Sequence, residues 1–158
     1  MSEHRTALTW QRSGAAFERG NYVREHRLRF ERGQQLTNSA APGYGGLGDA
    51  TDPEELLLAA LSSCHMLTFL ALASNRGYML ESYSDDAVAI LDKNAEGKPA
   101  VTRAVLNPRT RFSGEKIPTL EELQTLHQRA HANCFIAHSV KTEVEVNPQL
   151  EDQDPATA

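Results

Sequence analysis

DPEELLLAALSSCHMLTFLALASN, residues 52–75, decides how this chain folds. Asp52 is a helix cap, Pro53 suits a first turn, and Glu55, three residues on, completes a capping box. Apolar residues then recur to about Asn75, and Gly77 is the expected stop. The stretch is long enough to be mistaken for a membrane span. Ser62, Ser63, His65 and Thr68 interrupt it, and Glu54, Glu55, Asn75 and Arg76 flank it, which predicts a buried helix of a soluble protein. Because it is apolar nearly all round, it must be covered on every side. One small sheet is too little, so a second copy of the chain is expected to share the burial.

Upstream, Ala7–Gln11 and Tyr22–Phe30 alternate as strands do, the second with Tyr22, Arg24, His26, Leu28 and Phe30 on one face. Arg32-Gly33 turns the chain into Gln34–Asn38. The glycine-rich run AAPGYGGLGD, 40–49, reads as a loop. Downstream, a strand is expected over 86–93, a turn at NAEGKP, and a hairpin partner over 101–112. A second helix opens at Thr119, with Glu122 as another capping box, and runs to about Asn133. Val140, Thr142, Val144 and Val146 then alternate with Lys141, Glu143 and Glu145 in a closing strand. The order predicts a single α+β domain over residues 1–148 with antiparallel pairing, followed by a disordered polar tail at 149–158.

A formal charge of −5, with no Lys/Arg run, gives no electrostatic case for nucleic acid or an anionic membrane as partner. Forty per cent hydrophobic and 23% charged residues are ordinary for a globular protein. The first ten residues carry no apolar signal segment. Two cysteines without such a segment point to a reducing compartment, the cytoplasm, where paired thiols are more often catalytic than structural.

Those thiols, Cys64 and Cys134, are too far apart in sequence for a CxxC redox pair, but they meet if the two helices pack together. Thiolate is the nucleophile, and an unperturbed thiol titrates at about 8.5. Cys134 ends a helix, where the dipole opposes negative charge. Cys64 lies mid-helix, and apolar burial raises its pKa. Cys64 is therefore reactive only beside a cation, and Cys134 suits the resolving role.

DPEELLLAALSSCHM, followed by AHANCFIAHSVKTEVEV, resembles the OsmC/Ohr family of thiol-dependent hydroperoxide reductases. The likeness spans about residues 22–147. It implies an intertwined homodimer, with antiparallel sheets wrapped around two long central helices and active sites at the subunit interface. It further implies that Cys64 attacks an organic hydroperoxide, becomes a sulfenic acid and condenses with Cys134, and that a dithiol, such as a lipoyl group, restores the thiols. It involves neither cofactor nor metal. Glu54 matches the family's glutamate, which orients an arginine that holds Cys64 as thiolate.

Glu54 lies roughly 15 Å from Cys64 along a helix axis and on another side of it, so it would serve the Cys64 of the other subunit. Its ordinary reading is stabilisation of the helix N-terminus. Arg24 and Arg32 are the candidate cations. The family's alternative arginine position, in the loop before the helix, is empty here, because residues 40–50 contain no Arg or Lys. Phe135 stands where the family often has Pro after its second cysteine. An apolar pocket is expected from Leu57, Leu61, Met66, Phe69 or their neighbours. His127 and His131, four apart, share a helix face leading to Cys134 and admit a metal-site reading, with His65 nearby; the plainer reading is ordinary helix residues. Three functions follow: a thiol peroxidase for alkyl or fatty-acid hydroperoxides, a non-catalytic binder of small ligands, and a His/Cys metal-binding protein.

Overall fold

The computed structural model describes residues 1–12, 14 and 16–151. They fall into two compact units, Met1–Leu56 and the chain from Leu57 onward.

In the first unit, β1 (Thr6–Thr9), β2 (His26–Phe30) and β3 (Gln35–Asn38) form an antiparallel sheet in that order. The strand expected over 22–30 begins only at His26. Before it, the His26 ring donates to the Arg24 carbonyl at 2.9 Å and the Arg24 guanidinium donates to the Tyr22 carbonyl at 3.1 Å. Local side-chain bonds thus occupy groups a ladder would use. The glycine-rich loop follows, with Pro42–Tyr44 as a 3-10 turn. Gly46 is obligatory there, because a Cβ would lie 1.5 Å from the Ala40 carbonyl oxygen. Buried Asn38 ties β3 to the next element: its side-chain amide bonds the His26 ring, and its oxygen accepts from the Thr51 hydroxyl.

Helix α1 (Pro53–Asn75) starts as the sequence predicts. The Glu55 N–H donates to the Asp52 carboxylate at 2.8 Å, and the Glu55 carboxylate accepts from the Asp52 N–H. Gly77, at φ +74°, ends it.

In the second unit, the chain from Met79 to Ser113 is one long hairpin folded over at its middle. β4 (Met79–Asp85) and β5 (Val88–Lys93) run out; β6 (Pro99–Leu106) and β7 (Pro108–Ser113) return. β5 pairs β6 and β4 pairs β7, both antiparallel. The fold line is pinned: the Asn107 N–H donates to the Asp85 carboxylate at 2.7 Å, and its amide donates to the Asp86 carbonyl at 2.9 Å. The partner strand expected over 101–112 is therefore split at Asn107. β4, not anticipated as a strand, hides behind a bulge between Leu80 and Ser82, which lets Leu80 and Tyr83 both pack on the core despite their odd spacing.

Helix α2 (Leu120–Ala132) carries the expected capping box of Thr119 and Glu122. The chain returns as β8 (Glu143–Val146) beside β6 and β9 (Gln149–Leu150) beside β7, both parallel. The sheets are thus mixed rather than wholly antiparallel, because the α2 crossover brings the chain back in the direction of β6 and β7. Gln149 and Leu150 belong to a strand rather than to the polar tail expected from 149; residues 152–158 of that tail lie outside the described residues.

The core joins Phe69 and Ala73 of α1, Leu123, Leu126 and Ala130 of α2, Tyr78, and Phe112 of β7. Only Leu61, His65, Phe69 and Ala73 of α1 are buried, a stripe at every fourth residue. Among the described residues α1 alone is long and apolar enough to cross a membrane. The buried stripe instead anchors it in a packed α+β core.

Candidate functional site

Cys64 lies on α1, one residue before the buried stripe resumes at His65, so its thiol is half-exposed. Cys134 lies just past α2 and is buried. The fold brings the two free thiols near enough for Cys64 to act on Cys134. Burial first, and the Cys64 contact second, push the Cys134 thiol up; the N–H groups of Ala137 and Ile136 pull it the other way. A buried thiol of raised pKa is a poor first nucleophile, which agrees with the dipole argument for its resolving role.

An open groove of about 650 Å³ exposes Cys64 to solvent. Ala60, Leu67, Ala71, Phe135 and Ile136 make it mostly apolar. Of the pocket expected from Leu57, Leu61, Met66, Phe69 or their neighbours, only neighbours such as Ala60 and Leu67 line this groove. Leu61 and Phe69 belong to the buried stripe, on another side of the helix from Cys64, and Leu57 lines a different groove. Helix rotation decides this: positions 60, 63, 64, 67, 68 and 71 share the Cys64 face, whereas 61, 65 and 69 do not.

Behind the thiols lies a feature absent from the sequence reading. His65 and His127, both 1% exposed, bond ring to ring across α1 and α2, Nε2 to Nδ1 at 2.9 Å. One ring donates and the other accepts. The Phe69 ring stacks on His127 at 4.2 Å between centroids. The other two nitrogens, His65 Nδ1 and His127 Nε2, are buried and have no hydrogen-bond partner among the described residues. Burial chiefly lowers His65 to about 4, with His131 adding to this and Asp85 opposing it. Burial, then His65, lowers His127 to about 3. Both rings are therefore neutral near pH 7. The i, i+4 spacing of His127 and His131 was legible; that the first of them faces His65 was not. Among the described residues no group of three or more His, Cys, Asp or Glu is placed to hold a metal ion, which leaves the metal-site reading without a ligand set.

The other candidates lie in the first unit. Glu54 is half-buried in the first turn of α1 and makes no ion pair among the described residues. Arg24 is half-buried, not on a strand face as expected but in the segment before β2. Its guanidinium lies 4.3 Å from the Tyr22 ring centroid and against Gly45 of the glycine-rich loop. Among the described residues it has no carboxylate partner. Arg32 sits exposed in the β2–β3 turn. The loop that lacks its own cation thus has one laid against it from Tyr22–Arg24.

The model of the OsmC-like protein family matches residues 46–149, a span that holds Glu54, both thiols and both helices. This chain belongs to the OsmC-like family. An OsmC-like protein of unknown function from Vibrio cholerae is 46% identical, with a TM-score of 0.91 over 94% of this chain and 99% of that one. Two organic hydroperoxide resistance proteins share the fold at low identity. The one from Elizabethkingia anophelis is 17% identical (TM-score 0.68, covering 97% and 98% of the two chains). The one from Bacillus subtilis is 18% identical (TM-score 0.61, covering 93% and 98%). A comparison with curated proteins finds no match.

Proposed function

We propose that the protein is a thiol-dependent peroxidase that reduces organic hydroperoxides in defence against oxidative stress. The Cys64 thiolate attacks the distal peroxide oxygen. The O–O bond breaks, the alkoxide leaves and takes up a proton as an alcohol, and Cys64 becomes a sulfenic acid. The Cys134 thiol then attacks that sulfur; water leaves and a Cys64–Cys134 disulfide forms. A dithiol reductant, of the lipoyl type or similar, exchanges with the disulfide and returns both thiols.

The single observation that supports this most is the neighbouring placement of the two free thiols, one at the rim of an open apolar groove and the other buried with a raised pKa. Family membership and the hydroperoxide resistance proteins of the same fold agree with it. In this reading Arg24 supplies the cation that holds Cys64 as thiolate, and Glu54 orients it. Glu54 lies roughly 15 Å from Cys64 along α1, so in this reading it serves the Cys64 of a second copy, in a cytoplasmic homodimer whose sites lie at the interface.

The reduced protein is treated with one equivalent of cumene hydroperoxide while free thiols and intact mass are followed. Rapid loss of both thiols, with loss of the mass of two hydrogens, is expected. Thiols that persist for hours would favour the second reading, a ligand-binding protein without turnover. That reading draws on the absence of Lys and Arg from residues 40–50.

A further inference from the structure

A second groove, of about 660 Å³, opens in the second unit between α2 and residues 144–149. Gln124, His127, Gln128 and His131, spaced as one helix face, form one side, and Val144 and Val146 of β8 the other. Neither thiol and no residue of α1 lines it, so it is separate from the Cys64 groove and from the α1 face expected to meet a second copy. Two observations single it out. The first is buried, unpartnered nitrogen. His127 lines the groove yet is 1% exposed, and His65 holds its Nδ1, so Nε2 is the atom it has to offer. That Nε2 has no hydrogen-bond partner among the described residues, and neither has the buried Nδ1 of His131. Buried polar atoms ordinarily have one. The second is charge. No Asp, Glu, Lys or Arg lines the groove, and the His65 and His127 rings are both neutral near pH 7.

We propose that this groove binds a small uncharged molecule with a carboxamide edge on an apolar body. A neutral pair of rings carries two ring protons. When His65 donates to His127, the His127 Nε2 carries a proton; when His127 donates, Nε2 is a bare acceptor. Exchange of tautomers therefore makes the same nitrogen a donor or an acceptor. A carboxamide presents one of each side by side, so it matches either state. Gln124 and Gln128, which make no side-chain hydrogen bond among the described residues, supply further donors and acceptors of the same kind. Val144 and Val146 receive the apolar body. An anion or a cation would give up its hydration and meet no opposite charge on these walls. Binding here requires nothing of Cys64, so it stands whether or not the thiols turn over peroxide.

Three probes of similar size separate the charge states: benzamide, benzoate and benzylamine, which are neutral, anionic and cationic at pH 7. Each is titrated into the nitrogen-15-labelled full chain while backbone amide and histidine-ring shifts are followed by NMR. Benzamide should give saturable shifts at residues 124–131 and 144–149 and at the His127 ring. Benzoate and benzylamine should give none there. Gln128 is exposed at the rim, so Gln128→Glu keeps the fold and adds a carboxylate. That change should weaken benzamide about fivefold and let benzylamine bind. Four results overturn the proposal: no saturable shift with benzamide, shifts confined to the Cys64 groove, equal binding of all three probes, or benzamide binding unaltered by Gln128→Glu.

Discussion

At the residue scale, the proposed chemistry turns on how a thiol in an apolar helix is made reactive. Cys64→Ser should abolish peroxide consumption. Cys134→Ser should still react once and leave a Cys64 sulfenic acid that dimedone traps. If Arg24 is the activating cation, Arg24→Ala slows iodoacetamide alkylation of Cys64 at pH 7, and Arg32→Ala leaves the rate unchanged. The His65–His127 pair makes a separate, pH-dependent prediction. Both folded-state values lie below the unfolded value of about 6.5, so below that pH the unfolded chain takes up protons that the folded chain refuses. Stability is therefore held above pH 6.5 and falls as the pH drops towards 4, by up to ~1.4 kcal/mol per pH unit for each ring. Urea midpoints between pH 8 and 4 would show this decline. Removing one ring alone, as in His127→Leu, leaves a buried nitrogen unpaired and costs about 1–3 kcal/mol. Replacing both with leucine costs less than the sum of the single changes.

At the element scale, the two helices were legible because each carries its own punctuation. Asp52 with Glu55, and Thr119 with Glu122, are capping boxes in sequence and in structure. Their bonds are local, so three residues suffice to specify each. Thr119→Ala should lower stability by about 1 kcal/mol in thermal melts while leaving thiol oxidation unchanged. The strands were less legible. β4 is bulged, which disrupts the period-2 alternation by which a strand is recognised, and the bend at Asn107 depends on Asp85, more than twenty residues away. A similar limit applies to Arg24. Alternation placed it on a strand face, but bonds to the Tyr22 carbonyl and from the His26 ring hold it in an irregular segment against the loop.

At the scale of the whole molecule, the exposed part of α1 is the main outstanding feature. Four of its residues are buried, while Leu67 and Leu70 are exposed within one chain. A second copy covering this face is the outcome we expect. Sedimentation at micromolar concentration should find twice the chain mass, and Leu70→Glu should shift it to the monomer by placing a charge on that face. A monomeric native protein would remove the shared-site role of Glu54 along with the dimer.

The sequence by itself determined both helices with their starts and stops and the α+β class, and it marked the two thiols as the candidate pair. All of these rest on local spacing or on the order of short motifs along the chain. Only the tertiary structure decided that Cys64 lies near Cys134, that His65 meets His127, that Phe135 rather than Phe69 lines the Cys64 groove, and that β8 and β9 run parallel to their partners. Such facts depend on the rotation of one helix against another and on contacts between residues far apart in sequence. Helix periodicity says which residues share a face; packing against the rest of the chain decides what that face meets.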